Sequence, residues 1–127
     1  MFKAEDIMTR NVVTVYSDTA IYDAMNLLVK NKITGLPVID DNNQLIGILS
    51  EKDMLNLLYN EKINNETVSE FMTKETVSFD IEDDITDICD CLINNHFRRV
   101  PITDNHKLVG IISRKDIISF ILKIRKK

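Results

Sequence analysis

The sequence is poor in cysteine, in long apolar runs and in net positive charge, and each shortage excludes something. Two cysteines, Cys89 and Cys91, are too few for a disulfide framework, and their spacing disfavours an unstrained bridge between them. No apolar run approaches the roughly 20 residues that span a bilayer, so no membrane role is expected. The opening Met1-Phe2-Lys3-Ala4-Glu5-Asp6 carries charge where a secretory leader needs its apolar core. The expected location is therefore the cytoplasm. Lys and Arg number 16 against 20 Asp and Glu, a formal net charge of −4. That balance disfavours general nucleic-acid binding, which needs many phosphate contacts from basic side chains.

What is present is an ordinary globular composition, 44% hydrophobic and 28% charged over 127 residues, which argues against disorder. That length buries roughly two thirds of the unfolded surface. The dominant feature is an internal repeat. Sixty-four residues after Met8-Thr9 comes Met72-Thr73, and at the same offset Val13 meets Val77, Leu28 meets Leu92, Pro37 meets Pro101 and Asp40 meets Asp104. Beyond Asp40 the offset falls to 63, so that Leu45, Gly47, Ser50 and Asp53 match Leu108, Gly110, Ser113 and Asp116. The missing residue falls in a polar turn, where a deletion costs least.

Both copies read as β-α-β-β-α. Val12 to Val15 and Thr76 to Phe79 are β-prone runs, followed by N-cap candidates in Ser17-Asp18-Thr19 and Glu82-Asp83-Asp84. Ile21, Ala24, Met25 and Leu28, like Ile85, Ile88, Cys89 and Leu92, repeat at i, i+3, i+4, i+7 and predict a helix with one apolar face. Two strands follow in each copy, Leu36 to Ile39 and Leu45 to Leu49, then Val100 to Thr103 and Leu108 to Ile112. A closing helix carries Met54, Leu57 and Leu58, or Ile117, Phe120 and Ile121. The expected division is one repeat over 1–60, a polar linker over 61–67 and a second repeat over 68–127.

Each copy turns from strand to helix through Gly-x-x-Ser-x-x-Asp: Gly47, Ser50 and Asp53, then Gly110, Ser113 and Asp116. Ser followed three residues later by Asp is a capping-box pattern with Asp in place of Glu or Gln, and satisfies a helix start without any ligand. The same residues suit a nucleotide. A helix N-terminus attracts phosphate, a carboxylate accepts hydrogen bonds from a ribose diol, and a serine hydroxyl can cap and bind together. The glycine permits another backbone to come close. Spacing alone leaves both readings open.

Over nearly its whole length the chain resembles a tandem pair of CBS domains, the modules first named from cystathionine β-synthase. The resemblance rests on Asp6-Ile7-Met8-Thr9 and Glu70-Phe71-Met72-Thr73, on Gly35-Leu36-Pro37-Val38-Ile39-Asp40 and Arg99-Val100-Pro101-Ile102-Thr103-Asp104, and on the two closing Gly-x-x-Ser-x-x-Asp turns, all in the same order twice. It implies an α+β fold of two β-α-β-β-α repeats packed about a pseudo-two-fold axis, with a Ser/Asp pair in each of two clefts. It further implies that Ser50 with Asp53, and Ser113 with Asp116, hold an adenosine ribose. AMP, ADP, ATP, S-adenosylmethionine or a dinucleotide would serve as a regulatory ligand, with no required cofactor. Basic residues before the Pro and after the Ser commonly meet phosphate in this family, which adds Arg98, Arg99 and Arg114 to the second site. Their first-copy counterparts are Thr34, Gly35 and Glu51, so the second site is expected to bind the more highly charged ligand, and more tightly. Strand alternation sends Arg98 and Arg99 to opposite faces, so that one of them reaches a given phosphate.

Such pairs commonly dimerise, and Ile117, Ile118, Phe120, Ile121 and Ile124 are the helix surface expected to make a homodimer. Since the repeats consume the sequence, the regulated effector is expected to be a separate protein. No catalytic constellation is apparent, and the reading is a binding module rather than an enzyme. Two other classes remain in view. One is a structural or interaction module acting through its dimerising helices with empty clefts. The other is a redox or metal switch at Cys89 and Cys91, although i and i+2 lie on well-separated faces of a helix and Cys89 falls on the apolar one. His96 and His106 have no ligand cluster around them, so no metal site is expected. The basic tail Lys123, Arg125, Lys126 and Lys127 complements the negative end of the last helix.

Overall fold

The computed structural model describes residues 2–59, 66–95 and 97–126. Residues 61–65 of the expected linker, together with Met1, Asn60, His96 and Lys127, lie outside them. The elements run β1 (Val15–Tyr16), α1 (Ile21–Asn31), β2 (Gly35–Ile39), β3 (Leu45–Ser50), α2 (Glu51–Leu55), β4 (Phe79–Asp80), α3 (Ile85–Asn94), β5 (Arg99–Asp104), β6 (Lys107–Ser113) and α4 (Arg114–Ile124). Single 3₁₀ turns stand at Ala4–Asp6, Asn56–Tyr59 and Val68–Glu70. The class is α+β, with two three-stranded sheets of order β1-β2-β3 and β4-β5-β6.

Within each sheet the first strand runs parallel to the second and the second antiparallel to the third. The first strands are shorter and later than the β-prone runs predict. Val15 pairs with Val38 and Phe79 with Ile102. Continuing that register, Thr14 and Ser78 face Pro37 and Pro101, which have no N–H to give, and the ladder stops there. The two hairpins differ at the one-residue gap. Asn105 and His106, both with positive φ (51° and 68°), close β5–β6 as a two-residue turn. The longer first turn is held by Asp40 Oδ1, which accepts from Asn42 N–H and Gln44 N–H, both at 2.9 Å.

The chain forms two compact units, and they are not the two sequence repeats. One comprises Val13–Thr76; the other comprises Met1–Val12 together with Val77–Lys127. The leading segment of each repeat has therefore moved to the other unit. In the unit of residues 13–76, Ile21 N–H donates to Glu66 C=O and Val68 N–H to Thr19 C=O. In its counterpart, Ile85 N–H donates to Phe2 C=O and Ala4 N–H to Asp83 C=O. This backbone docking corrects one expected cap. Helix α1 starts after Ala20, which gives no side-chain cap, and Thr19 Oγ1 instead accepts from Tyr16 N–H. Helix α3 is capped as expected, by Asp84.

The predicted apolar stripes build both cores. Ile21, Ala24 and Leu28 pack with Val15, Leu36, Val38, Leu49, Leu57 and Val68 in one unit. Ile88 and Leu92 pack with Ala4, Val100, Ile102, Ile112 and Ile117 in the other. At the closing helices the expected faces need correction. Leu58 is exposed because the chain tightens into a 3₁₀ turn after Leu55, and Ile121 is exposed as well. Ile117, in turn, is core rather than outer surface, and Phe120 meets the Phe2 ring edge-on at 4.6 Å between centroids.

Candidate functional site

Both Gly-x-x-Ser-x-x-Asp turns fold into the same local geometry. The serine ends the hairpin's last strand in extended backbone, and the next residue begins a helix. At α4, Ser113 N–H donates to Asp116 Oδ2 at 2.7 Å, Ser113 Oγ–H donates to the same oxygen at 2.9 Å, and Asp116 N–H donates to Ser113 Oγ at 3.2 Å. At α2 the corresponding Ser50–Asp53 distances are 2.8, 2.9 and 3.2 Å. Both pairs are thus full capping boxes, the structural role that their spacing allows.

The capping leaves the second carboxylate oxygen aimed elsewhere, and a threonine meets it. Thr9 Oγ1–H donates to Asp116 Oδ1 at 3.0 Å, and Thr73 Oγ1–H to Asp53 Oδ1 at 3.4 Å. These threonines belong to the Met-Thr pairs that open each repeat, and their backbones are fixed by paired bonds. Thr9 exchanges N–H and C=O with Ile111, and Thr73 does so with Ile48. The glycines make this docking possible by lacking a side chain. A Cβ at Gly110 would stand 2.5 Å from Met8 Sδ, and one at Gly47 would stand 2.9 Å from Met72 Sδ and 3.0 Å from Thr73 O. Sequence reasoning singled out the repeated Met-Thr only as a family mark. Its recurrence, at an offset of 64 against 63 for the Gly-x-x-Ser-x-x-Asp turn, marked it as part of each repeat but not as a partner of the aspartate.

The basic residues expected at the second site are spread around α4's start. Arg98 is exposed just before β5, Arg99 is half-buried as its first residue, and Arg99 lies opposite Ser113 across the ladder. Arg114 N–H donates to Arg98 C=O at 3.2 Å, and its Nη2 donates to Leu92 C=O at 3.3 Å near the end of α3. One guanidinium corner is thereby anchored to the end of α3. At the first site Glu51 N–H makes the matching bond to Thr34 C=O, with a carboxylate where Arg114 has its guanidinium.

The cysteines pack rather than converge. Cys89 and Cys91 are both half-buried against the core of their unit, so Cys91 joins the apolar side that the helical period gave to Cys89 alone. Burial, and secondarily the charge of Asp90, pushes the Cys89 thiol above its ordinary pKa, which makes it a poorer nucleophile and ligand. Among the described residues no three His, Cys, Asp or Glu side chains gather as a metal site would require. Among them, too, no helix is long and apolar enough to cross a membrane.

Comparison with known proteins agrees with this fold. The CBS domain family profile matches residues 4–60 and again 68–123. An uncharacterised protein of Methanocaldococcus jannaschii is 28% identical over 91% of this chain, and the chloroplastic CBS domain-containing protein CBSX2 of Arabidopsis thaliana is 31% identical over 95%. The chain spans 41% of the first relative's length and 64% of the second's. A crystal structure of CBSX2 in complex with AMP superposes with a TM-score of 0.90 at 35% identity, covering 99% of this chain and 100% of that one. With two profile matches that between them take up most of the sequence, and the same fold in each, the chain belongs to the CBS-domain family as a tandem pair of CBS domains.

Proposed function

We propose that this protein is a regulatory module that binds an adenosyl ligand, AMP, ADP, ATP or S-adenosylmethionine, and passes the binding state to a separate effector protein. The observation that carries the reading is its likeness to CBSX2 crystallised with AMP, at 35% identity across 99% of the chain. The local chemistry supports it. Ser113 and Asp116 would meet the ribose, with Arg114, Arg99 and Arg98 near a phosphate; Ser50 and Asp53 would form the other, less basic site. Each serine–aspartate pair is used as a capping box at a helix start, and we read the module as a non-enzyme. A ligand of this kind acts by its differential affinity for two states of the module. We place it in the cytoplasm, away from membranes and nucleic acid, and as a homodimer.

A thermal-shift panel of AMP, ADP, ATP, NADH and S-adenosylmethionine tests the reading on wild type, Asp53→Ala and Asp116→Ala. A ligand at 100 times its dissociation constant adds about 2.7 kcal/mol of stability. The expected result is stabilisation of the wild type that Asp116→Ala reduces more than Asp53→Ala does. Wild-type protein unmoved by all five ligands would favour the second reading, an interaction module acting through its helices, which the exposed Ile118 and Leu122 support.

A further inference from the structure

Helices α1 and α3 start at matching positions, Ile21 and Ile85, but end differently. Each has an asparagine whose side-chain amide donates to the carbonyl four residues back, Asn31 to Leu27 at 2.8 Å and Asn95 to Cys91 at 3.1 Å. Beyond that shared device α1 closes itself. Lys32 turns into the left-handed region (φ 54°), its N–H reaches Leu28 C=O and Val29 C=O, and Ile33 N–H donates to Leu28 C=O at 3.1 Å. Helix α3 stops one residue sooner, with Asn95, the counterpart of Asn31, already extended (φ −119°, ψ 156°). Leu92 C=O, the counterpart of Leu28 C=O, accepts from Arg114 Nη2, which α4 lends from its first position. The last turn of α1 also carries Lys30, whereas that of α3 has no basic residue of its own, so Arg114 supplies the cation at the negative end of α3. In the first repeat the position of Arg114 is held by Glu51, whose carboxylate has no proton to donate.

The bond to Leu92 is one that an anion can take over. At 3.3 Å it is longer than the usual ~2.9 Å of an N–H···O bond, and its acceptor is a neutral carbonyl. A phosphate offers full opposite charge and a second oxygen for a bidentate pair. Arg114 is exposed, and exposed side chains change rotamer quickly. We infer that Arg114 is a latch between the second site and α3: it closes the end of α3 while the site is free of anion and is handed to the phosphate when a phosphorylated ligand binds, which loosens the last turn of α3. The inference rests on the adenosyl reading for the ligand and adds how its phosphate is registered at a second element. The turn that loosens carries Ile93, 77% exposed, so the change reaches the outer surface. Helix α1, closed by its own backbone, has no such latch.

Amide hydrogen exchange on the full chain tests it, read at residues 91–95 with residues 27–31 of α1 as the internal control. Wild type and Arg114→Ala are each compared free, with AMP and with adenosine, which lacks the phosphate, and binding is checked by thermal shift. Without ligand, the last turn of α3 should exchange about fivefold faster in Arg114→Ala, as for one lost hydrogen bond, and the control should not move. AMP should speed the same turn in wild type by a similar factor, adenosine should not, and AMP should add nothing in Arg114→Ala. A last turn that AMP slows with the rest of the chain, or leaves unchanged, would overturn the handover while the adenosyl reading stands. Wild-type exchange at α3 in free Arg114→Ala would overturn the latch whatever the ligand. Wild type that does not bind AMP overturns the adenosyl reading for AMP and the handover with it. The wild-type comparison of AMP with adenosine needs no variant and decides the handover even if Arg114→Ala folds poorly.

Discussion

Ser50 and Ser113 make the same cap, yet they sit in opposite electrostatic surroundings. After Ser50 comes Glu51, and the position before β2's Leu36 is glycine; after Ser113 comes Arg114, and the matching strand position is Arg99. Helix α4 runs eleven residues from its cap, whereas α2 runs five before tightening into a 3₁₀ turn. On the proposed reading, Arg114 and Arg99 rather than Glu51 and Gly35 beside the cap would give the second site the stronger attraction for anions. Removing either hydroxyl should therefore cost similar fold stability, about 1 kcal/mol for a lost cap, but unequal ligand affinity. Titrating ATP against each variant separately should show the larger loss in Ser113→Ala. Equal losses would remove the proposed asymmetry between the sites.

At the scale of the element, the start of α3 links sequence to pH. Asp84 Oδ1 accepts from Thr86 N–H and Thr86 Oγ1–H, both at 2.9 Å. Those two bonds, the backbone one foremost, hold its carboxyl below the ordinary 3.8. A carboxylate with a depressed folded pKa contributes stability that is fully present above its unfolded pKa and disappears as pH falls through the folded one. The gap in urea midpoint between wild type and Asp84→Ala should be constant from pH 7 down to about 5 and should close below 3.8. A gap that persisted at the acid end would mean that the cap acts through shape and not through charge. Asp84 was legible as a cap because a carboxylate followed by an apolar stripe is a local signal. The start of α1 was not, since its donor Ile21 N–H is satisfied by Glu66 C=O, more than forty residues away, and backbone partners leave no mark in side-chain pattern. The same cause hid the exchange of leading segments. The repeat offset shows that residues 2–12 correspond to 66–76 but does not say which sheet each joins. The Ser–Asp caps were readable to the residue because they close over three positions. Their threonine partners were not, because Thr9 is 107 residues from Asp116.

At the scale of the whole molecule, the unspent feature is apolar surface on α4. Ile117 and Phe120 belong to the chain's own packing, and that leaves Ile118, Ile121, Leu122 and Ile124 outward, with Leu122 69% and Ile118 59% exposed. The helix thus has apolar residues on more than the one face its core contact consumes. A contiguous apolar patch of this kind marks an association surface more often than a free one. In a homodimer the patch would face its own copy, so a single substitution places two charges in the interface. A carboxylate buried there without a partner is strongly unfavourable, and Leu122→Glu, lying outside both Ser–Asp sites, should leave AMP binding by each chain intact. Sedimentation of the wild type should therefore give twice the 14.7 kDa chain mass, and Leu122→Glu should return the mass to that of one chain with thermal stability otherwise retained. Wild type running at the single-chain mass at working concentration would remove the homodimer and leave α4 as the surface to offer to an effector.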